Sequence, residues 1–272
     1  ELTLGVTPVM NKDFRWKSIF NFSTNRNKII SLHKELKSFA YGDEGMSMMY
    51  MMRIVEGGSL GDIYGNKFKR DNEGNIIYQR NERTGEATDM PSYSTGNNDK
   101  IGNANPKALL GWSNTFTYKG FTLYFLVDCR FGGDIISITQ AELDQKGVSK
   151  TSGDDRARGF VDLEGHRIKD VEGFYSIVGG RNGVTENYLY DATNIRLREL
   201  SLGYDFPKKW MTRTKVFSDI QLSFIARNLF FFYKNVPFDP DASLSSGNSC
   251  QGVDVFGIPT TRSLGFNVKF TF

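Results

Sequence analysis

The chain has 272 residues, a formal net charge of +3, 14 % aromatic residues, 28 glycines and an ordinary 39 % hydrophobic share. So small a charge argues against a nucleic-acid surface, which needs a concentrated basic face. Two cysteines in unlike contexts, Cys129 and Cys250, argue against a disulfide framework or a zinc site. No apolar run approaches the ~18–20 residues of a membrane-spanning helix.

The dominant signal is period-two alternation, whereas helical periodicity is weak throughout. Leu2, Leu4 and Val6 begin a first strand inside ELTLGV. Phe14, Trp16, Phe20 and Phe22 form a face opposite Arg15, Lys17, Asn21 and Ser23. Met46, Met48, Tyr50, Met52 and Ile54 make a third strand, and a weaker fourth runs from Leu60 to Lys69. Leu110, Trp112, Phe116 and Tyr118 come next. Phe121, Leu123, Phe125, Val127, Cys129 and Phe131 follow, opposite Thr122, Tyr124, Asp128 and Arg130. Ile195 and Leu197 lie in one phase and Leu200, Leu202 and Tyr204 in the other, so a bulge is expected at Arg198–Glu199. Ile220, Leu222, Phe224 and Ala226 precede a closing SLGFNVKFTF. The total is about nine strands.

The connections carry more information than the strands. Short ones (10–13, 56–59, 119–120 and 207–215) alternate with long ones (26–45, 70–106, 132–192 and 231–261). The long connections exceed what a compact soluble domain tolerates without structure of its own. Outer-membrane barrels have this rhythm, with short periplasmic turns and long extracellular loops. Strands of about 9–11 residues match a tilted crossing of the bilayer. Trp16, Trp112, Tyr118, Tyr204 and Phe230 are expected in aromatic girdles at the membrane interfaces. Alternating faces also occur in soluble barrels and sandwiches, and the loop rhythm favours the membrane reading.

Against this background NIRLRELSLGYDFPKKW resembles a segment of SusC/RagA-type TonB-dependent outer-membrane transporters of Bacteroidetes. Further matches follow in that family's order. They are TPVMNKDFRWKSIFNFSTNRNKIISL, GGSLGDIYGNKF, IGNANPKALLGWSNTFTYKGFTL, FGGDI, IARNLFFF, FDPDAS and GIPTTRSLGFNVKFTF. The resemblance implies an all-β fold: a transmembrane antiparallel β-barrel of about 22 strands. Residues 1–272 would be its C-terminal part, with the plug and N-terminal region absent from this sequence.

The implied function is TonB-energised import of an oligosaccharide or peptide across the outer membrane. Implied partners are a SusD-like surface lipoprotein, the TonB complex through an N-terminal region, the barrel-assembly machinery and the lipid bilayer. Phe266, Phe270 and Phe272 fall where the family carries its C-terminal assembly signal. Two other readings stand beside it. One is a barrel anchor that does not transport and whose long loops bind a partner. The other is a soluble β-sandwich binding module.

The residues hold no catalytic pattern: no GxSxG, HExxH, Walker loop or GxGxxG. No enzyme and no cofactor is therefore expected. His33 and His166 sit in long loops without neighbouring ligand groups. Asp154, Asp155, Asp162 and Glu164 are calcium-type oxygen ligands, but they lack EF-hand spacing and lie among Arg156, Arg158 and Arg167. Asp128 and Arg130 face the polar side of their strand near its loop end. With Arg196, Arg198 and Arg227 they are candidates for contact with substrate or plug, or for ion pairs between strands. Phe231, Phe232, Tyr233 and Tyr175 are aromatic candidates at loop bases.

Overall fold

The structure is a computed structural model that describes residues 1–41, 49–210, 216–242 and 250–272. A seven-stranded antiparallel sheet forms its wall. The strands are β1 (Leu2–Met10), β2 (Phe14–Ser23), β3 (Ala108–Tyr118), β4 (Phe121–Phe131), β5 (Asn194–Asp205), β6 (Asp219–Lys234) and β7 (Ser263–Thr271). Each pairs with the next in chain order, so all the short connections fall at one end and all the long ones at the other.

The turn chemistry follows from the sequence. Asn11 accepts the Phe14 and Asp13 N–H groups on Oδ1 at 2.8 and 3.1 Å, closing the first turn on its own side chain. Lys119 and Gly120 join β3 to β4 with φ of 44° and 89°. A two-residue hairpin loop needs just such a pair of positive angles to match the strand twist.

Pairing register sorts the wall into two faces. Val9, Trp16, Phe116, Leu123, Leu202, Phe224 and Phe266 form one continuous row across all seven strands. The next row, on the opposite face, reads Arg15, Thr117, Thr122, Gly203, Ser223 and Asn267. No described element covers the apolar face, and Phe266 is 78 % exposed. A soluble sandwich would have to bury such a face against a second sheet.

One polar pair interrupts the apolar face. Ser18 and Asn114 lie directly opposite each other. The Trp112 indole N–H donates to Ser18 Oγ and the Trp16 indole N–H donates to Asn114 Oδ1, each at 2.9 Å. The two tryptophans thus cover the pair and satisfy their own donors. Trp112 sits mid-strand in β3, which corrects the girdle assignment for that residue.

Shifts in register keep the faces intact. The register of β1 shifts between Val6 and Val9, around Pro8, which has no N–H to give a ladder. The shift at Leu197/Glu199 in β5 is the bulge expected from the slip in alternation. A further one lies between Ile195 and Arg196.

The nine-strand expectation needs correction. The predicted strands at 46–54 and 60–69 are not in the wall. They give Tyr50–Val55 and Asp62–Gly65, part of a separate four-stranded sheet with Ser38–Ala40 and Asp99–Asn103. Both are shorter than the about 9–11 residues a crossing strand needs, and Met46 and Met48 lie outside the described residues. The 56–59 turn therefore sits at the long-loop end. The long connections are 24–107, 132–193 and 235–262, three instead of four, and they still alternate with the short turns.

The second long connection carries three helices that the weak helical periodicity does not predict: α1 (Ile138–Gln145), α2 (Lys150–Arg158) and α3 (Val171–Val178). Each has a capping side chain in the sequence. Ser137, Ser149 and Asp170 accept the N–H groups of Gln140, Ser152 and Gly173. At eight or nine residues each helix is too short for a clear periodic signal.

These segments pack into a cap with its own core. Met52, Ile63, Phe68, Ile136, Phe174, Val178, Tyr188 and Val253 form one buried cluster drawn from all three long connections. Arg70 binds Glu164 through two bonds of 2.6 and 2.7 Å, and His166 packs on the Tyr78 ring with centroids 4.0 Å apart. Asn66 Nδ2 donates to the Gly183 carbonyl at 2.9 Å, while its Oδ1 accepts the Asn97 N–H at 3.0 Å.

Candidate functional site

The polar face of the wall, where it meets the cap, gathers the charged side chains. Asp128 of β4 pairs directly with Arg196 of β5. The bulge turns both Arg198 and Glu199 onto the polar face, which strict alternation would forbid. Arg198 therefore reaches Asp128, donating from Nε at 3.0 Å and from Nη2 at 2.5 Å. Arg196 Nε lies 3.6 Å from the same carboxylate oxygen. A second carboxylate, Asp241 of the third long connection, accepts from Arg196 Nη2 and from Arg198 Nη1, the latter at 3.2 Å.

One turn along the wall Arg227 donates to Glu199 at 3.1 Å. Arg130 is set apart: it donates to the Ala104 carbonyl at 2.9 Å and so ties β4 to the first long connection. Of the five charged candidates the structure thus joins Asp128, Arg196 and Arg198, and places Arg227 and Arg130 in flanking contacts. All five engage other protein groups: Asp128, Arg196, Arg198 and Arg227 in ion pairs, and Arg130 with a backbone carbonyl. Sequence reading missed Asp241, which sits in the quoted FDPDAS segment; a lone carboxylate in a loop gives no hint of a partner 45 positions away.

The aromatic candidates divide. Tyr175 is buried in the cap and donates to Asp155 Oδ2 at 2.5 Å, so its ring is not free to stack on a ligand. Burial, then the Asp155 carboxylate, holds its hydroxyl above the ordinary tyrosine range. Phe231 lies against the Arg196 guanidinium at 5.5 Å, while Phe232 and Tyr233 stay exposed.

Beside the charged cluster a cleft of about 420 Å³ opens at the rim, lined by Asn25, Arg26, Asn27, Asn103, Asn105, Lys107, Asp134 and Asp191 among others. FGGDI shapes it: Gly132 and Gly133 have φ of 67° and 82°, and a Cβ on Gly133 would meet the Ala104 carbonyl oxygen at 3.0 Å. Burial pushes the Asp134 carboxyl up, against the Asn103 N–H that it accepts at 2.8 Å.

The acidic residues of calcium-ligand type are held by protein groups. Asp154 pairs with Lys150, Asp155 with Arg158 and Glu164 with Arg70, and Asp162 accepts the Gly165 N–H. Among the described residues no group of three or more His, Cys, Asp or Glu side chains is placed to hold a metal ion.

A long antiparallel meander with one apolar and one charged face, capped at one end by its own loops, defines the class: an all-β chain. No protein-family model matches it. Among curated proteins it is 24 % identical to TonB-dependent receptor P3 and 26 % identical to TonB-dependent receptor P39, both of Formosa agariphila. Each match takes in 99 % of this chain but only 28 % and 30 % of the relative, so the chain spans less than a third of their length.

Among solved structures it superposes on the RagAB peptide importer in its open-open and closed-closed states. The TM-score is 0.66 for both, at 18 % and 17 % identity, over 99 % of this chain and 28 % and 29 % of the other. The likeness to SusC/RagA-type TonB-dependent transporters read from the motifs therefore holds over the whole chain. Its place is the bacterial outer membrane, and its relatives are receptors and transporters rather than enzymes.

Proposed function

We propose that this chain forms part of the barrel wall and the extracellular cap of a TonB-energised nutrient importer. The observation that carries the reading is the union of two things in one 272-residue chain. The wall has an uncovered apolar face opposite a charged one, and its long connections all gather at a single end. In lipid every backbone group needs a partner, so the free edges of β1 and β7 call for further strands that close a barrel.

The apolar row then meets acyl chains, and Asp128, Arg196, Arg198 and Arg227 line the inner side, where substrate or a plug passes. The chain supplies the C-terminal strands, and Phe266, Phe270 and Phe272 serve in barrel assembly. The plug and the TonB-contacting region belong to sequence upstream. A SusD-like lipoprotein is the partner that fits over the cap, and the substrate is an oligosaccharide or a peptide.

Growth of the source bacterium supplies the test. The intact gene should restore uptake of one nutrient class to a deletion strain, and restoration should vanish when the energising complex is inactivated. Uptake that persists without that complex would refute the proposal.

A further inference from the structure

Three segments that are distant in the sequence meet at one point of the wall. FDPDAS supplies two aspartates that act in opposite directions. Asp239 faces the approach to β7, its Oδ2 accepting the Thr260 N–H at 2.9 Å and also the Thr260 hydroxyl. Its Oδ1 accepts the Asp241 N–H at 3.0 Å, which sets the turn. Asp241 then reaches the two arginines of β5, as described above. One short turn thus staples the third long connection both to the segment before β7 and to a strand two places away.

The arginine pair has more donors than this arrangement uses. Arg196 is 2 % exposed, yet among the described residues its Nε and Nη1 have no hydrogen-bond acceptor. A buried donor without an acceptor is costly, more so on a charged group. The Phe231 ring lies against that guanidinium at 5.5 Å. Arg198 is a third exposed, and so is Asp241. Of the two carboxylates, Asp128 is fixed on the wall and Asp241 is carried by a loop.

Arg198 presents the solvent-reachable edge of the pair and Arg196 the buried spare donors behind it, so a carboxylate that takes the place of Asp241 meets two guanidinium groups at once. We propose that Arg196 and Arg198 form a carboxylate-binding site on the inner face. Asp241 is its resident occupant, and a carboxylate on an incoming ligand displaces it. Displacement frees the 235–242 turn from the wall, so that ligand binding and loop release are one event. No covalent step is involved; one carboxylate replaces another. The inference rests on the reading of the charged face as the lumen side.

The test uses the full-length transporter in detergent or nanodiscs, with citrate as the carboxylate probe. Trimethyl citrate serves as the uncharged control, and chloride at matched ionic strength as the salt control. Hydrogen exchange of peptides covering 235–242 should rise with citrate and stay unchanged with the ester or chloride. Asp241→Asn should exchange fast without probe and bind citrate about tenfold more tightly, as expected when one competing charge-assisted contact is lost. Arg198→Gln should abolish the citrate response. The heat-modifiable mobility of the barrel on gels shows whether each variant has folded.

Equal exchange with citrate and ester overturns the proposal. So does an Asp241→Asn protein whose turn loosens while its citrate affinity stays the same, because Asp241 would then be a structural staple only. These readouts need no energising complex. A negative result therefore leaves TonB-dependent uptake standing, and loss of that dependence leaves the citrate result standing.

Discussion

The wall and the cap solve the same problem in opposite ways. The cap buries its apolar side chains against one another: Phe174, Ile136, Ile168 and Val178 are all within 2 % of complete burial. The wall leaves them out, with Leu202 and Phe266 at 49 % and 78 % exposure. Hydrophobicity alone does not tell the two apart; Met52 and Leu202 sit in equally regular alternations. What differs is whether a strand is long enough to cross a bilayer and whether a second layer covers it. The cap is stabilised by removing apolar surface from water; under the proposed reading the wall is stabilised by cross-strand hydrogen bonds in a medium that offers no others.

A cavity in the cap core should separate the two regions most sharply. Phe174 packs edge-on against Tyr175, with centroids 5.1 Å apart, at the centre of the cluster. Phe174→Ala should cost the cap about 3–5 kcal/mol, the range for emptying a buried aromatic site. Proteolysis and hydrogen exchange over 132–193 should report that loss while the heat-modifiable behaviour of the barrel stays unchanged. A wall that fails together with the cap would show one cooperative unit instead of two.

The converse experiment needs two neighbours on β5. Leu202→Arg places a charge on the apolar face and should destabilise the barrel by about 2–4 kcal/mol in lipid, less if its depth is near an interface. Ser201→Arg, one residue away on the polar face, should stay within about 0.5 kcal/mol. Urea titration of both variants in vesicles checks the difference. Equal effects would break the assignment of faces.

Those faces were legible in the sequence, and the reason is physical. A strand with an apolar medium on one side and water on the other has to alternate, so Leu123, Phe125 and Val127 against Thr122, Tyr124 and Asp128 fix which face is which. The bulge at Arg198–Glu199 was legible because a slip in phase has no other cheap cause. The cap was not. Tyr50, Met52 and Ile54 alternate as well as any wall strand, and only the neighbouring turn and the four-residue length of Asp62–Gly65 separate them from it. The site was half legible: alternation puts Asp128 and Arg196 on one face, but nothing local brings Asp241 back across the wall.

Alkali should also distinguish the regions, by a smaller margin. Burial, with the Asp144 carboxylate adding to it, raises the Tyr190 hydroxyl to about 12. Tyr175 and Tyr188 are raised as well, mainly by burial. Because these folded-state values lie above the unfolded value of about 10, the neutral hydroxyls contribute stability that is fully present below pH ~10. That stability is lost as pH rises through the folded values. The cap should therefore loosen between pH ~10 and 12, seen as tyrosinate absorbance rising together with proteolysis of 132–193. Tyrosinate that appears at pH ~10 with the cap intact would contradict the burial of these rings.

The smallest effect should come from the pair that joins the first and second long connections. Arg70 and Glu164 meet in a fork at 2.6 and 2.7 Å, and Glu186 adds a contact at 3.4 Å. Their side chains are 33 % and 53 % exposed, so solvent screens the attraction. Arg70→Ala should cost no more than about 1 kcal/mol, and the deficit should shrink in high salt because exposed charges are screened. The fork raises the Arg70 guanidinium and lowers the Glu164 carboxyl from their ordinary values, so the pair stays charged across neutral pH. A double-mutant cycle with Glu164→Ala isolates the coupling from other effects of either truncation. If that coupling exceeded the cost of the Phe174 cavity, the cap would be held by charge rather than by its core, and the contrast with the wall would have to be redrawn.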